Sequence, residues 1–317
     1  MSSLRRLPSE VSIEIPRDAD GYLGRECPET SCEGYFKIKP GTGLPGESSC
    51  TCPYCGHKGD TSDFHTKDQI EYAKSVLVNQ VTGAFLKDLK DMARSTRGGF
   101  ITMKVTGSPH PIRRYHEKQL ETHMVCDGCS LAYAIYGLFA FCPDCGSHNS
   151  GQMLDKNLGL AEKMLALAQG EGLDAALVEQ LVGDALENVV SAFDGFGREL
   201  TRVNASRASN PKMAASLSFQ NLSGAQKNVQ TLFGGDLAAT LSSAEWITVC
   251  RGFQKRHLIS HRMGVVDDAY LAATKDPDSV RGRKVPLQNA EVLELVALVR
   301  RLAAALTAAV ARQPPTP

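Results

Sequence analysis

Residues 246–270 read Trp-Ile-Thr-Val-Cys-Arg-Gly-Phe-Gln-Lys-Arg-His-Leu-Ile-Ser-His-Arg-Met-Gly-Val-Val-Asp-Asp-Ala-Tyr. The first part of this stretch predicts an amphipathic helix, because its apolar residues recur at helical spacing. These residues are Trp246, Val249, Cys250, Phe253 and Leu258. Gly264 is the expected end or bend of the helix, since glycine enters a left-handed turn without steric cost. We expect the C-terminal half of the chain to be helical around this element.

Three polar residues of the stretch, Arg256, His257 and His261, indicate phosphodiester chemistry. His257 and His261 are four residues apart and share one helix face. RNA carries its own nucleophile, so cleavage needs a base, an acid and positive hydrogen-bond donors. Histidine titrates near neutrality, and arginine contacts two phosphate oxygens at once. We predict that His261 is the general acid/base, that Arg256 clamps the phosphate, and that His257 orients or contacts the substrate.

The run from Arg256-His257 through His261 to Gly264 and Tyr270 resembles the motif helix of the HEPN superfamily, Arg-x4–6-His with a polar residue after the arginine. The likeness covers roughly the last 140 residues, about one domain. It implies a metal-independent endoribonuclease that leaves a 2′,3′-cyclic phosphate and a 5′-hydroxyl. It also implies a homodimer whose two motif helices line one cleft, so that a second histidine completes the acid/base pair.

The same resemblance leaves a second function open. HEPN-like domains without activity act as regulatory modules, so the alternative is a non-catalytic factor that binds nucleic acid or protein. A free ribonuclease would harm its own cell, and we therefore expect an inhibitory or activating protein partner. A role as a toxin or in antiviral defence is implied by the resemblance alone.

Ten cysteines precede or accompany this helical half, and their spacing points to metal rather than to disulfides. Cys126-Asp-Gly-Cys129 and Cys142-Pro-Asp-Cys145-Gly, joined by an expected apolar hairpin at 131–141, predict one four-thiolate zinc ribbon. Four thiolates close the coordination sphere, so this zinc is expected to be structural.

A second four-thiolate site is predicted nearer the N-terminus, from Cys27-x4-Cys32 and Cys52-Pro-Tyr-Cys55-Gly. Cys50 could replace Cys52 there, and His57 could substitute as a ligand. The expected cofactors are thus two structural Zn²⁺ ions. The ribbons either brace the fold or grip nucleic acid, and a third hypothesis is an accessory protein of transcription or DNA repair.

Between the two cysteine sets, residues 63–94 predict one long helix with Thr66 as a plausible N-cap. Its expected buried stripe consists of Ile70, Ala73, Val76, Leu77, Val81, Phe85 and Leu89. Gly98-Gly99 is expected to break the helix. Strands are predicted at 11–16, 34–38, 100–105 and 112–115.

At 317 residues the chain suggests two or three domains. We expect an α+β, predominantly α fold: zinc ribbon 1 at 1–60, a connecting helix at 61–98, a β segment with zinc ribbon 2 at 99–150, and an antiparallel HEPN-like bundle at 151–317. The bundle helices are predicted at 155–168, from about 173 to 200, at 223–232, in the stretch quoted above and at 287–311.

The formal net charge is zero, so the whole-protein field does not attract nucleic acid. Residues 87–118 hold eight Lys or Arg against three acids, which suits either a phosphate backbone or a solvated helix face. The apolar run at 302–311 is too short to span a bilayer, so no membrane partner is expected. No secretion signal is visible in residues 1–10, and we expect a cytoplasmic protein.

Overall fold

A computed structural model describes residues 3–6, 8, 10–46, 48–95 and 103–311, and the chain divides into two units, 1–148 and 149–317. The strands are β1 (Leu23–Glu26), β2 (Tyr35–Ile38), β3 (Ser49–Thr51), β4 (Lys58–Asp60), β5 (Thr122–Val125) and β6 (Ala132–Ile135). The helices are α1 (Lys67–Ser95), α2 (Ser150–Leu167), α3 (Ala175–Val203), α4 (Pro211–Ala214), α5 (Leu222–Phe233), α6 (Ser243–Arg262), α7 (Asp268–Thr274) and α8 (Asn289–Ala311). The predicted fold class, α+β and predominantly α, is confirmed.

The two cysteine segments of the first unit share one sheet. Four antiparallel strands are ordered β1-β2-β6-β5, and the central pairing sets Lys37 opposite Ala134 and Ile38 opposite Tyr133. Strands β3 and β4 form a separate two-stranded sheet. The hairpin expected at 131–141 is not formed, because β6 pairs with β5 and β2 instead. Pairing across the sheet therefore joins the segments that the sequence suggested were two ribbons.

Helix α1 starts at Lys67, four residues later than predicted, after a 3-10 turn at Thr61–Phe64. Thr66 caps it as expected: the Gln69 backbone N–H donates to the Thr66 hydroxyl, and the Gln69 side chain accepts from the Thr66 N–H. This reciprocal arrangement is a capping box.

An extended segment at 103–117 lies along α1 without forming a strand. Its backbone is satisfied by helix side chains: the Arg113 N–H donates to the Ser75 hydroxyl at 3.0 Å, and the His110 N–H donates to the Thr82 hydroxyl at 2.9 Å. The strand predicted at 112–115 is therefore wrong, as is the one at 11–16, where the chain is also irregular. Of the strand predicted at 100–105, residues 103–105 are irregular, and 100–102 lie outside the described residues, as does Gly98-Gly99.

Of the stripe predicted to be buried on α1, four residues face solvent, and Ala73, Val76 and Leu89 are half-buried. Ile70, Leu77, Val81 and Phe85 are exposed, and the helix buries Gln69, Ser75 and Ala93 instead. Helical periodicity correctly identified an apolar face of α1. That face stays open because the extended segment packs on the opposite side of the helix.

In the second unit, α3 lies at the centre of the helical core. It packs against α2, α6 and α8, and α5 also contacts α6 and α8. The Phe193 ring lies 5.8–6.2 Å from the rings of Phe196, Phe219 and Phe253, so residues from α3, α6 and the loop before α5 meet there. Among the described helices, none combines the length and apolar character that crossing a lipid bilayer requires.

Substitution of Gly197 on α3 tests how tightly the helical core is packed. A Cβ at position 197 would lie 2.5 Å from the Phe219 ring, whereas one at Gly183 on the same helix would meet nothing within 4 Å. We expect Gly197→Ala to lower the free energy of unfolding by about 1–3 kcal/mol. Gly183→Ala should raise it by about 0.5–1 kcal/mol, because alanine favours a helix interior. Chemical denaturation of both variants is the measurement, and equal midpoints would contradict the packing described here.

Candidate functional site

The eight predicted cysteine ligands form two groups of four thiols. In the first group, Sγ of Cys27 lies 3.6 Å from that of Cys55, and Sγ of Cys32 lies 3.8 Å from that of Cys52. The second group has 3.6 Å between Cys126 and Cys145 and 3.5 Å between Cys129 and Cys142. These distances far exceed a disulfide bond of about 2.05 Å. They match the edge, about 3.8 Å, of a tetrahedron of sulfurs 2.3 Å from a central ion.

Both groups are held by the same backbone turn. The Gly56 N–H donates to the Cys52 carbonyl and the Gly146 N–H to the Cys142 carbonyl, each at 3.0 Å. The two glycines have φ of +76° and +72°, a conformation that glycine adopts without steric cost. The repeated Cys-Pro-x-Cys-Gly pattern thus produces two equivalent turns that point paired thiols inward, and each group can hold one metal ion.

The alternative ligands of the first site lie outside the group of four. Cys50 is buried on β3 and is not one of the four clustered thiols, so Cys52 takes the position. Nδ1 of His57 lies 2.9 Å from a carboxylate oxygen of Glu29. Neither residue is brought to the metal group.

Burial makes four of these thiols, those of Cys27, Cys52, Cys129 and Cys142, poor acids without a cation. Burial raises the pKa of Cys52 and of Cys129 to about 11. Backbone hydrogen bonds to these two thiols lower the pKa, and hydrogen bonds with neighbouring thiols shift it in both directions. Cys55 and Cys145 are exceptions. Burial opposes the ionisation of both, but hydrogen bonds from the His57 backbone and neighbouring thiols lower the pKa of Cys55, and those from Ser147 and the other thiols lower that of Cys145 to about 7. A donor set of four thiols, two of them buried in each group, suits a thiophilic divalent cation.

In the second unit, both ends of α6 are anchored in sequence-encoded ways. Ser242 and Glu245 form a capping box at its start. Its end lies at Arg262, followed by left-handed residues Met263 and Gly264, close to the predicted position. Beyond it, the Val285 N–H donates to the Gly264 carbonyl at 2.8 Å, which ties the end of α6 to the loop before α8.

A buried lysine fixes the same loop from within. Nζ of Lys255, on α6, donates to the Pro286 carbonyl at 2.7 Å and lies 2.6 Å from a carboxylate oxygen of Glu291. Asp267 caps α7 by accepting a hydrogen bond from the Tyr270 N–H. The last turn of α6 is therefore held rigidly where the two histidines lie.

His257 and His261 stand together on the solvent side of this turn. Both are exposed, and their ring centroids are 4.8 Å apart. A helix places positions four apart on one face, as the sequence predicted. Two adjacent imidazoles can supply a proton acceptor and a proton donor within one chain.

Arg256 is turned towards α3, where Glu187 holds it. Nε and Nη2 of Arg256 donate to the two Glu187 carboxylate oxygens at 2.8 and 2.6 Å, and the Ser260 hydroxyl donates to the same carboxylate at 2.6 Å. The Arg256 side chain is 13 % exposed. Burial favours the neutral carboxyl of Glu187, but the hydrogen bonds from Arg256 and Ser260 and the arginine charge outweigh it and lower the pKa.

Glu187 and Ser260 are the residues of this site that sequence reasoning missed. Ser260 is four residues after Arg256, so both side chains reach the same partner on the neighbouring helix. The available signal was weak, because Glu187 is one acid at the edge of the apolar stripe of α3. The structure thus forms two neighbouring pairs, Arg256 with Ser260 and His257 with His261.

A cavity of about 900 Å³ adjoins the pair formed by Arg256 and Glu187. Its walls come from α3, the end of α6 and the loop at 284–287. Three carboxylates line it, those of Glu179, Asp184 and Glu187, with Lys284 as a nearby cation paired to Glu179. The cavity is large enough for a small ligand or a few residues of a partner, and its charge is more acidic than basic.

Comparison of the chain with protein-family models, with curated proteins and with solved structures finds no match in any of the three. The likeness of residues 256–270 to the HEPN motif therefore stays a prediction. What the described residues provide is a pair of four-thiol groups in the first unit and, in the second, two exposed imidazoles beside a paired arginine.

Proposed function

We propose that the second unit is a metal-independent endoribonuclease of the HEPN type. The observation that supports it is the exposed imidazole pair of His257 and His261, 4.8 Å apart, on a turn that also carries Arg256. One imidazole accepts the 2′-hydroxyl proton of RNA while another protonates the leaving 5′-oxygen. The products are a 2′,3′-cyclic phosphate and a 5′-hydroxyl end.

In this proposal His261 is the general acid/base, and His257 orients the substrate or supplies the second proton transfer. Arg256 binds the scissile phosphate. Because both of its donating nitrogens contact Glu187 in the structure, a phosphodiester has to replace that carboxylate. Carboxylate and phosphate both accept two parallel N–H bonds from a guanidinium group, which makes such an exchange feasible.

We also propose that each of the two four-thiol groups holds one structural Zn²⁺. Support comes from four thiolate donors at tetrahedral spacing with no position left for water. Zinc is colourless, whereas iron in the same ligand set absorbs visible light, so elemental analysis together with an absorption spectrum identifies the ion.

Three further parts of the proposal rest on the HEPN resemblance: a homodimer through the second unit, a cytoplasmic toxin or antiviral effector, and an inhibitory or activating protein partner. Ten cysteines without a disulfide suit a reducing compartment. A two-fold pairing of the α6 helices would place four imidazoles around one cleft.

A non-catalytic binding module is the second candidate, and the cavity favours it. Its three carboxylates repel phosphate, and Arg256 is neutralised by one of them. In that case the bidentate contact is a structural tie between α3 and α6, and the cavity receives part of a protein partner.

Cleavage of a mixed-sequence RNA by the full chain in EDTA tests the enzyme proposal. We expect cleavage that leaves cyclic phosphate ends, and none of the matching DNA, which lacks the 2′-hydroxyl. His261→Ala and His257→Ala should each lower the rate at least about 100-fold. The matched control is His65→Ala, an exposed histidine of the first unit, which should retain the wild-type rate.

Metal content and circular dichroism must be measured alongside this assay, because EDTA can also remove metal from the two four-thiol groups and unfold the first unit. Equal cleavage by all variants would identify a contaminating nuclease and refute the proposal. RNA binding without cleavage by folded wild-type protein would favour the binding module.

A further inference from the structure

The exposed apolar face of α1 is the feature that the proposed function leaves unexplained. Six side chains on it remain 40–58 % exposed: Ile70, Leu77, Val78, Val81, Phe85 and Met92. They span about 33 Å of helix at 1.5 Å per residue. Contiguous apolar surfaces of this extent are uncommon on monomers and usually mark an interaction site.

The opposite face of α1 already has its partner. The extended segment at 103–117 contacts positions such as Ser75, Asn79 and Thr82, which lie across the helix from the apolar face. The short helix Leu4–Arg6 also contacts α1, and the Ser3 N–H donates to Asp88. With both neighbours in place, Phe85 is still 49 % and Met92 58 % exposed.

The order of residues along this face is self-complementary about Val81. Ile70 and Met92 stand at equal distances from Val81 in the sequence, and so do Leu77 and Phe85. Lys74 and Asp88 form a third such pair, and their charges are opposite. In a two-fold interface, residue i of one copy contacts residue j of the other and j contacts i.

We propose that α1 docks against α1 of a second copy of this chain, antiparallel, with the two-fold axis at Val81. Ile70 then packs on Met92, Leu77 on Phe85, and Lys74 pairs with Asp88 across the interface, each contact occurring twice. A parallel pairing would set Lys74 against Lys74 and Asp88 against Asp88, and like charges facing each other oppose association. The order of charges on α1 therefore favours a second copy of this chain as the partner and an antiparallel orientation of the two helices.

Charge reversal tests this pairing in the full chain. Lys74→Glu alone opposes Glu to Asp88 twice, and Asp88→Lys alone opposes Lys to Lys74 twice. We expect either variant to weaken self-association about tenfold or more and to halve the mass measured by light scattering at micromolar concentration. An equimolar mixture of the two variants restores both ion pairs, so the variants should associate with each other more strongly than with themselves.

Co-purification of an affinity-tagged Lys74→Glu chain with an untagged Asp88→Lys chain measures this. A dimer through the second unit adds the same co-purification to every combination, since no altered residue lies there, so the measure is the excess of the mixed pair over each variant paired with itself. Val81→Glu, at the axis, should remove that excess in every combination. Metal content and circular dichroism establish that each variant is folded. The same mass for wild type and all variants, or variants that fail to pair when mixed, would overturn the proposal.

Discussion

Cys142→Ser is expected to remove one metal ion per chain and to unfold the first unit, while the second unit stays folded. Structural zinc contributes about 10–16 kcal/mol to the folding of small metal-dependent domains, which is comparable to the net stability of about 5–15 kcal/mol of a whole domain. One apolar cluster of the first unit consists of four buried side chains, Tyr22, Tyr35, Leu120 and Ala134. The second unit has a continuous core that involves α2, α3, α5, α6 and α8.

The matched control is Cys250→Ser, which alters a half-buried thiol of the second unit outside both metal groups. It should keep the full metal content and the proteolytic pattern of the wild type. For Cys142→Ser we expect rapid cleavage within 1–148 and a protected fragment close to 149–317 in limited proteolysis. An intact first unit in a metal-depleted Cys142→Ser protein would show that the thiol groups do not stabilise the fold.

Variants of Arg256 and Glu187 should separate the structural role of this pair from its proposed catalytic role. Arg256→Gln leaves a half-buried carboxylate without its cation, and we expect a loss of about 1–3 kcal/mol in the free energy of unfolding. Glu187→Gln should also destabilise the protein, since it weakens the tie between α3 and α6. The double variant should cost less than the sum of both, because the interaction is already absent after the first change.

RNA cleavage should respond differently to these two changes. Arg256→Gln removes the proposed phosphate ligand, so kcat/KM should fall at least about 100-fold. Glu187→Gln removes the competitor of the phosphate, so KM should fall and cleavage should persist. A pair with a purely structural role would instead lose activity in parallel with stability in both variants.

The ion pair of Glu187 with Arg256 should also be visible in the pH dependence of the free energy of unfolding. The pKa of Glu187 is lowered in the folded protein, so its stabilising contribution is complete above the pKa of the unfolded chain, about 4.5. That contribution disappears as the pH falls through the lower folded value. Denaturation midpoints of wild type and Glu187→Gln should therefore differ at neutral pH and converge only as the pH falls through the lowered pKa of the folded protein.

Local patterns were sufficient for several parts of this molecule. The repeated Cys-Pro-x-Cys-Gly turns, the Thr66 cap and the end of α6 near Gly264 each depend on residues within a few positions of one another. Pairing and burial were harder to predict. The strand predicted at 112–115 instead satisfies its backbone with α1 side chains, and the stripe of Ile70 and Leu77 faces solvent.

By itself the sequence determined the elements whose hydrogen bonds and ligand spacing are local: the two cysteine sets, the amphipathic helices and the i,i+4 histidine pair of α6. Only the tertiary structure decided that β2 and β6 join both cysteine segments in one sheet. It also decided that Arg256 on α6 pairs with Glu187 on α3, 69 residues earlier in the chain. The physical reason is that helical and turn periodicity state which residues share a face, whereas the partner of that face is chosen by contacts between distant parts of the chain.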